Sequence, residues 1–335
     1  MKAIKFFAIS AMAAAMITSC SSEDELSQSN YPSDNIVRVT AGVNNAKTRA
    51  EGAGTEMKND FSLTIVNKNA PKYTYTDKVF SKSSGDWACS ETLLWQKSDA
   101  LVDIVAFAPA QTGKFNGVYA NGSIQPITYS VADDQSTKSD NNDLLYYYAK
   151  DFNPGTSLVN KKLSIQFNHA FCMIDIVVTL GTEFNKPKVL DDSPIVKVTL
   201  DGTKIAANVD VKNAATGSTT TTAASVVTAS ETATPTTITT TKGTFTKAAN
   251  EEANAKSCFS CIAIPQTVAG KTFKVSLMTA GKRYEWTSDK EITLQSGYRY
   301  TLNLTMGNDV VLLKGGSISA TPWTEITSDK PLETD

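Results

Sequence analysis

Short runs of alternating apolar and polar residues recur along most of this 335-residue chain. Phe61 to Val66, Tyr73 to Phe80 and Tyr298 to Met306 each alternate with a period of two, as strands with one buried face do. Leu101 to Ala108 is apolar almost throughout and stops at Pro109, which is typical of a strand in the centre of a sandwich. The pattern therefore predicts many short β-strands.

Turn-forming residues separate these runs at close intervals. Asn121–Gly122 predicts a tight hairpin, Asp201–Gly202 predicts another turn, and Asn153-Pro154-Gly155 interrupts any regular element. No helical pattern connects the runs, so the chain is predicted to be all-β and built from antiparallel β-sandwiches. The length fits two of them in tandem, an N-terminal domain over residues 50–158 and a C-terminal domain over residues 159–335.

A threonine-rich tract over residues 213–246 interrupts the second half of the chain. Close to half of its residues are Thr, and it contains almost no large side chain that a core would bury. Such low-complexity composition is typical of exposed or unstructured segments. We therefore interpret the tract as an insertion that forms an exposed hairpin arm or a mobile loop.

Residues 1–20 have the pattern of an export signal. Two lysines precede an apolar segment over residues 6–17, which is too short for an ordinary membrane span. The small residues before Cys20, and Cys20 itself, resemble the lipobox of bacterial lipoproteins, which implies cleavage before this cysteine and acylation of its thiol. The acidic run that follows resembles the signal that sends Bacteroidetes lipoproteins to the cell surface. The alternative is an ordinary secretory peptide. We expect lipid on Cys20 to be the membrane anchor.

The first predicted strand, Ile36 to Val43, lies between two polar segments. A polar, acidic tether precedes it, and a loop rich in Gly, Ala and polar residues follows it, with Arg49 in the middle. A strand that is joined to the body only through such a loop can be cut off and replaced. Alternation places four of its side chains on one face: Val37, Val39, Ala41 and Val43.

Composition and charge narrow the classes of function. The formal net charge is −2 and the pI is about 5.6, which argues against a nucleic-acid partner bound by a basic surface. His169 is the only histidine, so a catalytic triad or a multi-histidine zinc site has no basis in the sequence. A structural histidine in a strand is the better interpretation. We predict no catalytic residue, no metal site and no cofactor.

Four cysteines remain after the predicted lipid site. Cys258 and Cys261 have the spacing of a redox motif, but they lie in a strand-like run and not at a helix start, where a thiol pKa is lowered. We therefore interpret them as buried free cysteines. Disulfide pairing of Cys89 or Cys172 is permitted outside the inner membrane and stays open.

Two further features have a structural and a binding interpretation. The loop from Asp133 to Asp143 is rich in oxygen ligands but lacks the spacing of a calcium loop, so a solvated loop is the default. Four tryptophans lie in or beside predicted strands, where core packing is the usual role, and a sugar-binding face is the alternative. They are Trp87, Trp95, Trp286 and Trp323.

Taken in order, several motifs resemble the fimbrillin family of Bacteroidetes, the subunits of type V pili. None is specific alone, but their order and spacing extend over nearly the whole chain. They are the lipobox ending at Cys20, Ile36 to Val43 followed by Thr48-Arg49-Ala50, Leu94-Trp95 before Val105 to Pro109, Asn142 to Tyr146, Leu163 to Ala170, Ile264 to Thr267, Gly297 to Leu302, and Trp323.

The resemblance implies two tandem transthyretin-like β-sandwich domains and export as a lipoprotein of the cell outer membrane. It also implies a cut by an arginine-specific protease between Arg49 and Ala50, which would remove residues 20–49 with the first strand. A strand from the C-terminus of another copy, or of a related fimbrial subunit, would then fill the groove by strand addition and build a fimbrium for adhesion. The alternatives are a tip or anchor subunit and a non-polymerising glycan-binding surface lipoprotein.

The donor strand that we expect on this basis spans residues 310–326. The threonine-rich tract is not a hallmark of the family, and the tail after the last tryptophan is short and polar. Six residues of the segment are candidates to fill the groove: Val310, Val311, Leu312, Leu313, Ile318 and Trp323.

Overall fold

The computed structural model describes residues 30–44, 55–57, 59–83, 85–111, 113–115, 117–215, 225–307 and 314–322. These residues are mostly β, with several sheets and a single short α-helix, which confirms the predicted class at this level. No helix within the described ranges is both long and apolar enough to cross a membrane.

The first half of the chain contributes eleven strands: β1 (Val39–Val43), β2 (Thr55–Glu56), β3 (Phe61–Val66), β4 (Tyr75–Ser83), β5 (Asp86–Cys89), β6 (Val102–Ala108), β7 (Tyr119–Ala120), β8 (Ser123–Ile124), β9 (Ile127–Ser130), β10 (Leu145–Phe152) and β11 (Leu163–His169). The helix α1 (Pro154–Ser157) is capped by the side chain of Asn153. Four 3-10 turns occur in the part of the chain that the structure describes: Pro71–Tyr73, Asp140–Asn142, Thr182–Asn185 and Val211–Ala215.

The second half contributes thirteen strands: β12 (Cys172–Leu180), β13 (Ile195–Thr203), β14 (Ala206–Val209), β15 (Val227–Ala229), β16 (Thr236–Thr239), β17 (Thr241–Thr246), β18 (Ala255–Ala263), β19 (Gln266–Val268), β20 (Lys274–Thr279), β21 (Arg283–Thr287), β22 (Ile292–Leu294), β23 (Tyr298–Met306) and β24 (Lys314–Pro322).

An eight-stranded sheet holds the core of the first half, in the order β2-β1-β11-β10-β6-β3-β4-β5. Strand β5, at the far end of this order, also lies close to β1, so the sheet curls around its own core. Aromatic rings fill the centre. Phe61 contacts Phe167 and Trp87 edge-on, with ring centroids 5.5 and 4.9 Å apart.

Two sheets of the second half enclose another core. The five-stranded sheet has the order β17-β18-β12-β23-β24, and the four-stranded sheet has the order β16-β13-β20-β21. Every second side chain of β12, from Cys172 to Leu180, is buried, and the alternation in β23 is nearly as regular. Strand β24 forms one edge of the larger sheet and pairs only with β23.

A third core joins the two halves. Strand β9 of the first half pairs with β14 of the second, and Phe107, Phe171 and Val209 are among the buried residues of the core beneath them. The amide of Gln135 completes this seam. Its Nε2 donates to the carbonyl of Ile262 at 2.9 Å, and its Oε1 accepts from the N–H of Ile262 at 2.8 Å. The side chain thus imitates a strand partner.

The topology departs from the antiparallel arrangement that the sequence predicts. Strands β1 and β11 run parallel, as do β12 and β23, while the other ladders between named strands are antiparallel. Strand β11 also belongs to the sheet of the first half, whereas the expected boundary at residue 158 assigns it to the second domain. Residue alternation specifies which face of a strand is buried but not which distant strand it will pair with. The division into two domains stays a prediction.

The threonine-rich tract is not an exposed arm where the structure describes it. Strands β15, β16 and β17 come from the tract, and each joins a different sheet. Ile238 and Val227 are buried, and Thr240 is only 4% exposed. The interpretation as an arm or loop is therefore wrong for residues 225–246. Threonine is β-branched and favours strands, so a few apolar residues were enough to place the tract in the sheets.

Two expected turns have different outcomes. Asn121–Gly122 connects β7 to β8 with positive φ at both residues, as a two-residue hairpin requires. Gly202 instead lies within β13, where the pairing with β16 shifts register between Leu200 and Thr203. Its φ is +95°, and a Cβ there would lie 2.2 Å from the carbonyl oxygen of Thr272. The glycine permits a bulge and the close approach of the turn before β20, so the predicted turn at this position is wrong.

Candidate functional site

Strand β1 lies inside the sheet, between β11 and β2. It pairs with β11 in parallel from Val39 opposite Leu163 to Val43 opposite Phe167. The N–H of Leu163 donates to the carbonyl of Arg38 at 2.7 Å, and the N–H of Asn44 donates to the carbonyl of Phe167 at 2.8 Å. On its other side β1 pairs with the two residues of β2. Backbone bonds therefore hold β1 along its whole length on one edge and at its last two residues on the other.

The side chains on one face of this segment fill the first core. Val37, Val39 and Val43 are 6%, 3% and 2% exposed, and Ala41 is half-buried against the same cluster. Fully burying one valine stabilises a fold by about 1.5–3 kcal/mol, so the three valines contribute roughly 5–9 kcal/mol. Removal of the strand would leave an apolar groove of matching length.

The segment before β1 has a second partner that the sequence did not reveal. Ile36 forms an antiparallel bridge with Leu94. The N–H of Val37 donates to the carbonyl of Leu93 at 2.9 Å, and the N–H of Trp95 donates to the carbonyl of Asn35 at 2.8 Å. The backbone thus pairs with the Leu93–Trp95 segment up to Val37 and with β11 from Val39 onward. Any replacement strand would meet both partners.

An ion pair fixes the backbone at this change of partner. The guanidinium of Arg38 donates to the carboxylate of Asp34 at 2.9 Å, and the N–H of Ile36 donates to the same carboxylate at 3.1 Å. These two hydrogen bonds hold the pKa of Asp34 well below its usual range. The carboxylate is exposed, so it organises the turn before β1 and adds little stability.

The expected processing residues flank this site in sequence. Arg49 and Ala50 lie between the end of β1 and the start of β2, and Cys20 precedes Asn30, so all three are outside the described residues. Of the candidate donor residues, Val310, Val311, Leu312, Leu313 and Trp323 are also outside them.

Ile318 is the one candidate donor residue that the structure describes. It lies in β24 opposite Leu302 of β23 and packs against the second core. The next three residues along β24 are exposed. In the described residues, the C-terminal strand therefore contacts its own subunit through the ladder with β23 and through the side chain of Ile318.

No constellation for catalysis forms among the described residues. His169 is buried, and its Nδ1 lies 3.1 Å from each carboxylate oxygen of Asp143, as in a structural pair. No group of three potential metal ligands occurs in the described ranges. The prediction of a structural histidine agrees with this geometry.

The four cysteines that the structure describes are free thiols. Cys172 and Cys261 are fully buried, whereas Cys89 and Cys258 are half-buried. Burial raises the pKa of Cys261 to about 12 and raises that of Cys258 as well. Both lie in β18 and not at a helix start, so neither thiol is activated for redox chemistry.

The described tryptophans pack inward and do not line a sugar-binding face. Trp95 stacks on Phe152 at 6.1 Å between ring centroids, and Trp286 contacts Phe273 edge-on at 6.3 Å. Trp87 contacts Phe61 in the first core. A binding face made of these rings is therefore not present, and Trp323 lies outside the described residues.

Comparison with known families decides the identity of this fold. The model of the fimbrillin-like family matches residues 48–323, which is most of the chain. The chain belongs to the fimbrillin-like family. This confirms the resemblance that the sequence motifs indicate, and the family is a structural and not an enzymatic one. The match begins at residue 48, so it does not include β1.

Solved structures share the fold of this fimbrillin-like chain at low sequence identity. A candidate cell adhesion protein from Bacteroides ovatus has a TM-score of 0.56 at 15% identity, over 87% of this chain and 98% of that chain. A fimbrial protein from Bacteroides vulgatus has a TM-score of 0.54 at 15% identity, over 86% and 99%. A candidate cell adhesion protein from Bacteroides uniformis has a TM-score of 0.53 at 16% identity, over 88% and 100%. A comparison with curated proteins found no significant match.

Proposed function

We propose that this fimbrillin-like chain is a pilin that is exported as a surface lipoprotein and polymerises by donor-strand exchange. Lipid on Cys20 would hold the precursor in the cell outer membrane. An arginine-specific protease would then cut between Arg49 and Ala50 and free the segment that contains β1. The observation that carries the proposal is the position of β1, a strand that pairs with β11 over its whole length and precedes the candidate cleavage loop.

Removal of β1 would leave a high-energy surface. The amides of Leu163 and Trp95 would lose the acceptors that Arg38 and Asn35 provide. An unpaired buried amide costs about 1–3 kcal/mol, in addition to the apolar surface that the three valines now cover. The cut chain is therefore expected to bind an extended apolar segment strongly, and this affinity would drive assembly.

The donor would be the segment over residues 310–326 of a neighbouring copy. Its described part, β24, is an edge strand held by a single ladder, so its release breaks fewer bonds than release of an interior strand. To follow the path of β1, the donor must run parallel to β11 and antiparallel to Leu93–Trp95. Such a contact joins two different surfaces, so it does not close and propagates a filament.

The two groups of sheets are, on this proposal, two transthyretin-like sandwiches in tandem. The partners are other copies or related fimbrial subunits, and the final location is a fimbrium at the cell surface. A tip or anchor subunit of the same fold is the alternative, and it would keep its lipid or would not donate a strand. The inward packing of the described tryptophans gives a glycan-binding lipoprotein based on them no support.

Treatment of the purified full-length chain with an arginine-specific protease tests the proposal. We expect a cut after Arg49, followed by a ladder of multimers that resists detergent at room temperature. The Arg49→Ala variant should stay monomeric, whereas Arg283→Ala, which removes another exposed arginine, should assemble like the parent. Cut chains that remain monomeric at high concentration would refute strand exchange. Assembly of Arg49→Ala at the parent rate would refute the role of cleavage.

A further inference from the structure

A cleft of about 330 Å³ opens where the threonine-rich tract crosses from β16 to β17. Thr240 lies at the crossing, and its N–H and hydroxyl both donate to the carbonyl of Val198, at 3.0 and 3.1 Å. The adjacent Thr239 forms a parallel bridge with Asp134. Hydrogen bonds therefore fix the crossing against β13 and against the loop that contains Asp134.

Two ammonium groups of the cleft differ in their partners. Lys242 Nζ lies 3.2 Å from both carboxylate oxygens of Asp192. Lys197 makes no salt bridge with a described residue, and it is exposed on β13. Hydrogen bonds from Ser136 and the charge of Lys197 together lower the pKa of Asp134. Lys197 thus places a positive charge at the cleft, near the carboxylate of Asp134 but without a salt bridge among the described residues.

The rest of the lining combines hydroxyl groups with one apolar wall. Ser136 and Thr239 supply hydroxyls, and the carboxylate of Asp134 is an acceptor at the same surface. Val196 is 66% exposed, the largest exposed fraction among the large hydrophobic residues that the structure describes. Polar groups that converge beside a small apolar wall suit a ligand that carries several hydroxyls on a hydrocarbon ring.

The local backbone disfavours an added β-strand at this place. The pairing of β13 with β20 shifts register between Ile195 and Lys197, so the strand is bulged at the cleft. Strand β13 also lies between β16 and β20 in its sheet, and the N–H of Thr240 already donates to the carbonyl of Val198 at the cleft. A peptide strand is therefore a poorer occupant than a compact polar ligand.

We propose that this cleft binds a carboxylate-bearing sugar, a uronic or sialic acid residue of a glycan. Lys197 pairs with the carboxylate, and the ring hydroxyls bond to Ser136 and Asp134. The hydrocarbon face of the ring lies on Val196. Residues of β13, β16, β17 and β18 and of the loop between β9 and β10 form the site, and none of them takes part in the groove around β1. The proposal therefore stands independently of strand exchange.

Saturation-transfer NMR on the full-length, uncut chain tests this site. Methyl β-D-glucuronide and the α-methyl glycoside of N-acetylneuraminic acid are the probes, and methyl β-D-glucoside is the control, since it differs from the glucuronide only at the carboxylate. We expect a Kd on the order of 1 mM for at least one acidic sugar, given the efficiency of small ligands. Binding should weaken as salt is raised. Which probe binds distinguishes a uronic from a sialic acid.

Matched variants locate the binding. Lys197→Ala should weaken binding of the acidic sugar about tenfold, and Lys197→Gln should do the same with less change of shape. Lys150→Ala, at an exposed lysine of β10, should leave the Kd unchanged. Equal saturation of glucoside and glucuronide, or equal loss in the Lys197 and Lys150 variants, would overturn the site. Equal binding of succinate would overturn the assignment to a sugar.

Discussion

The contribution of β1 to stability can be measured with one pair of substitutions in the same strand. Val39 is 3% exposed and faces the first core, whereas its neighbour Thr40 is exposed on the other face. Both are β-branched, so Val39→Ala and Thr40→Ala lose similar strand propensity. Val39→Ala also removes two buried methyl-sized groups at about 0.8 kcal/mol each and leaves a cavity. We expect it to cost about 2 kcal/mol more than Thr40→Ala.

Urea unfolding of the uncut chain, followed by tryptophan fluorescence, measures this difference. Trp87 and Trp95 both pack against the core that Val39 helps to fill, so they report on its loss. The free energy of unfolding of each variant is compared with that of the parent, with the same dependence on urea concentration used for all three proteins. A difference below about 0.5 kcal/mol would refute the claim that β1 is a core strand. The groove that its removal is proposed to create would then be shallow.

Three further outcomes test the rest of the structure. Gln135→Ala should destabilise both halves together by about 1–3 kcal/mol, because it leaves the backbone of Ile262 unpaired, and two separated unfolding transitions would contradict this. Gly202→Ala should cost more than about 2 kcal/mol by urea unfolding, while Gly281→Ala, which meets open space, should be near neutral. The pKa of Cys261 is raised from 9.0 to about 12, so its contribution to stability is complete below pH 9 and is lost as the pH rises toward 12. The free energy of unfolding of the parent, measured against pH, should fall more steeply above pH 9 than that of Cys261→Ala. Equal pH dependence of the two proteins would contradict the burial of the Cys261 thiol.

Local alternation was sufficient to predict the strands that have one clear buried face. From Tyr298 to Met306 apolar and polar residues alternate without interruption. The observed strand β23 begins and ends at these two residues. The apolar run ending at Ala108 corresponds to β6, which is buried along its whole length. In both cases the side chains alone specify the environment of the strand.

Features that depend on distant partners were not accessible from local patterns. The parallel pairing of β1 with β11 joins residues that are far apart in the chain. The bidentate bond of Gln135 to Ile262 gives no signal in sequence, because an isolated glutamine in a loop is ordinarily exposed. The cleft beside Lys197 likewise arises from the meeting of four separate segments. The high threonine content of residues 213–246 suggested an exposed segment. The strand propensity of threonine and the burial of Ile238 instead place part of this tract in the sheets.

The seam between the halves has a mechanical consequence for the proposed filament. Phe171 lies in the third core directly between β11 and β12, and the N–H of Gly297 donates to its carbonyl at 2.9 Å. Side chains from both halves bury one another there, so the two halves are expected to move as a unit. Load transmitted from the groove at β1 to the strand at β24 would pass through packed side chains and not through a flexible linker.

The central claim is that a neighbouring subunit's C-terminal segment replaces β1, and a disulfide trap tests it most directly. Ser164→Cys places a thiol on β11 opposite Thr40, and a second cysteine is scanned through residues 310–326. Isotopically labelled and unlabelled chains are mixed, cut after Arg49, assembled, oxidised and analysed by mass spectrometry. We predict cross-links that join labelled to unlabelled chains, and none of these in the Arg49→Ala control. Cross-links confined to single chains, or cross-links between chains that form equally without the cut, would contradict the account.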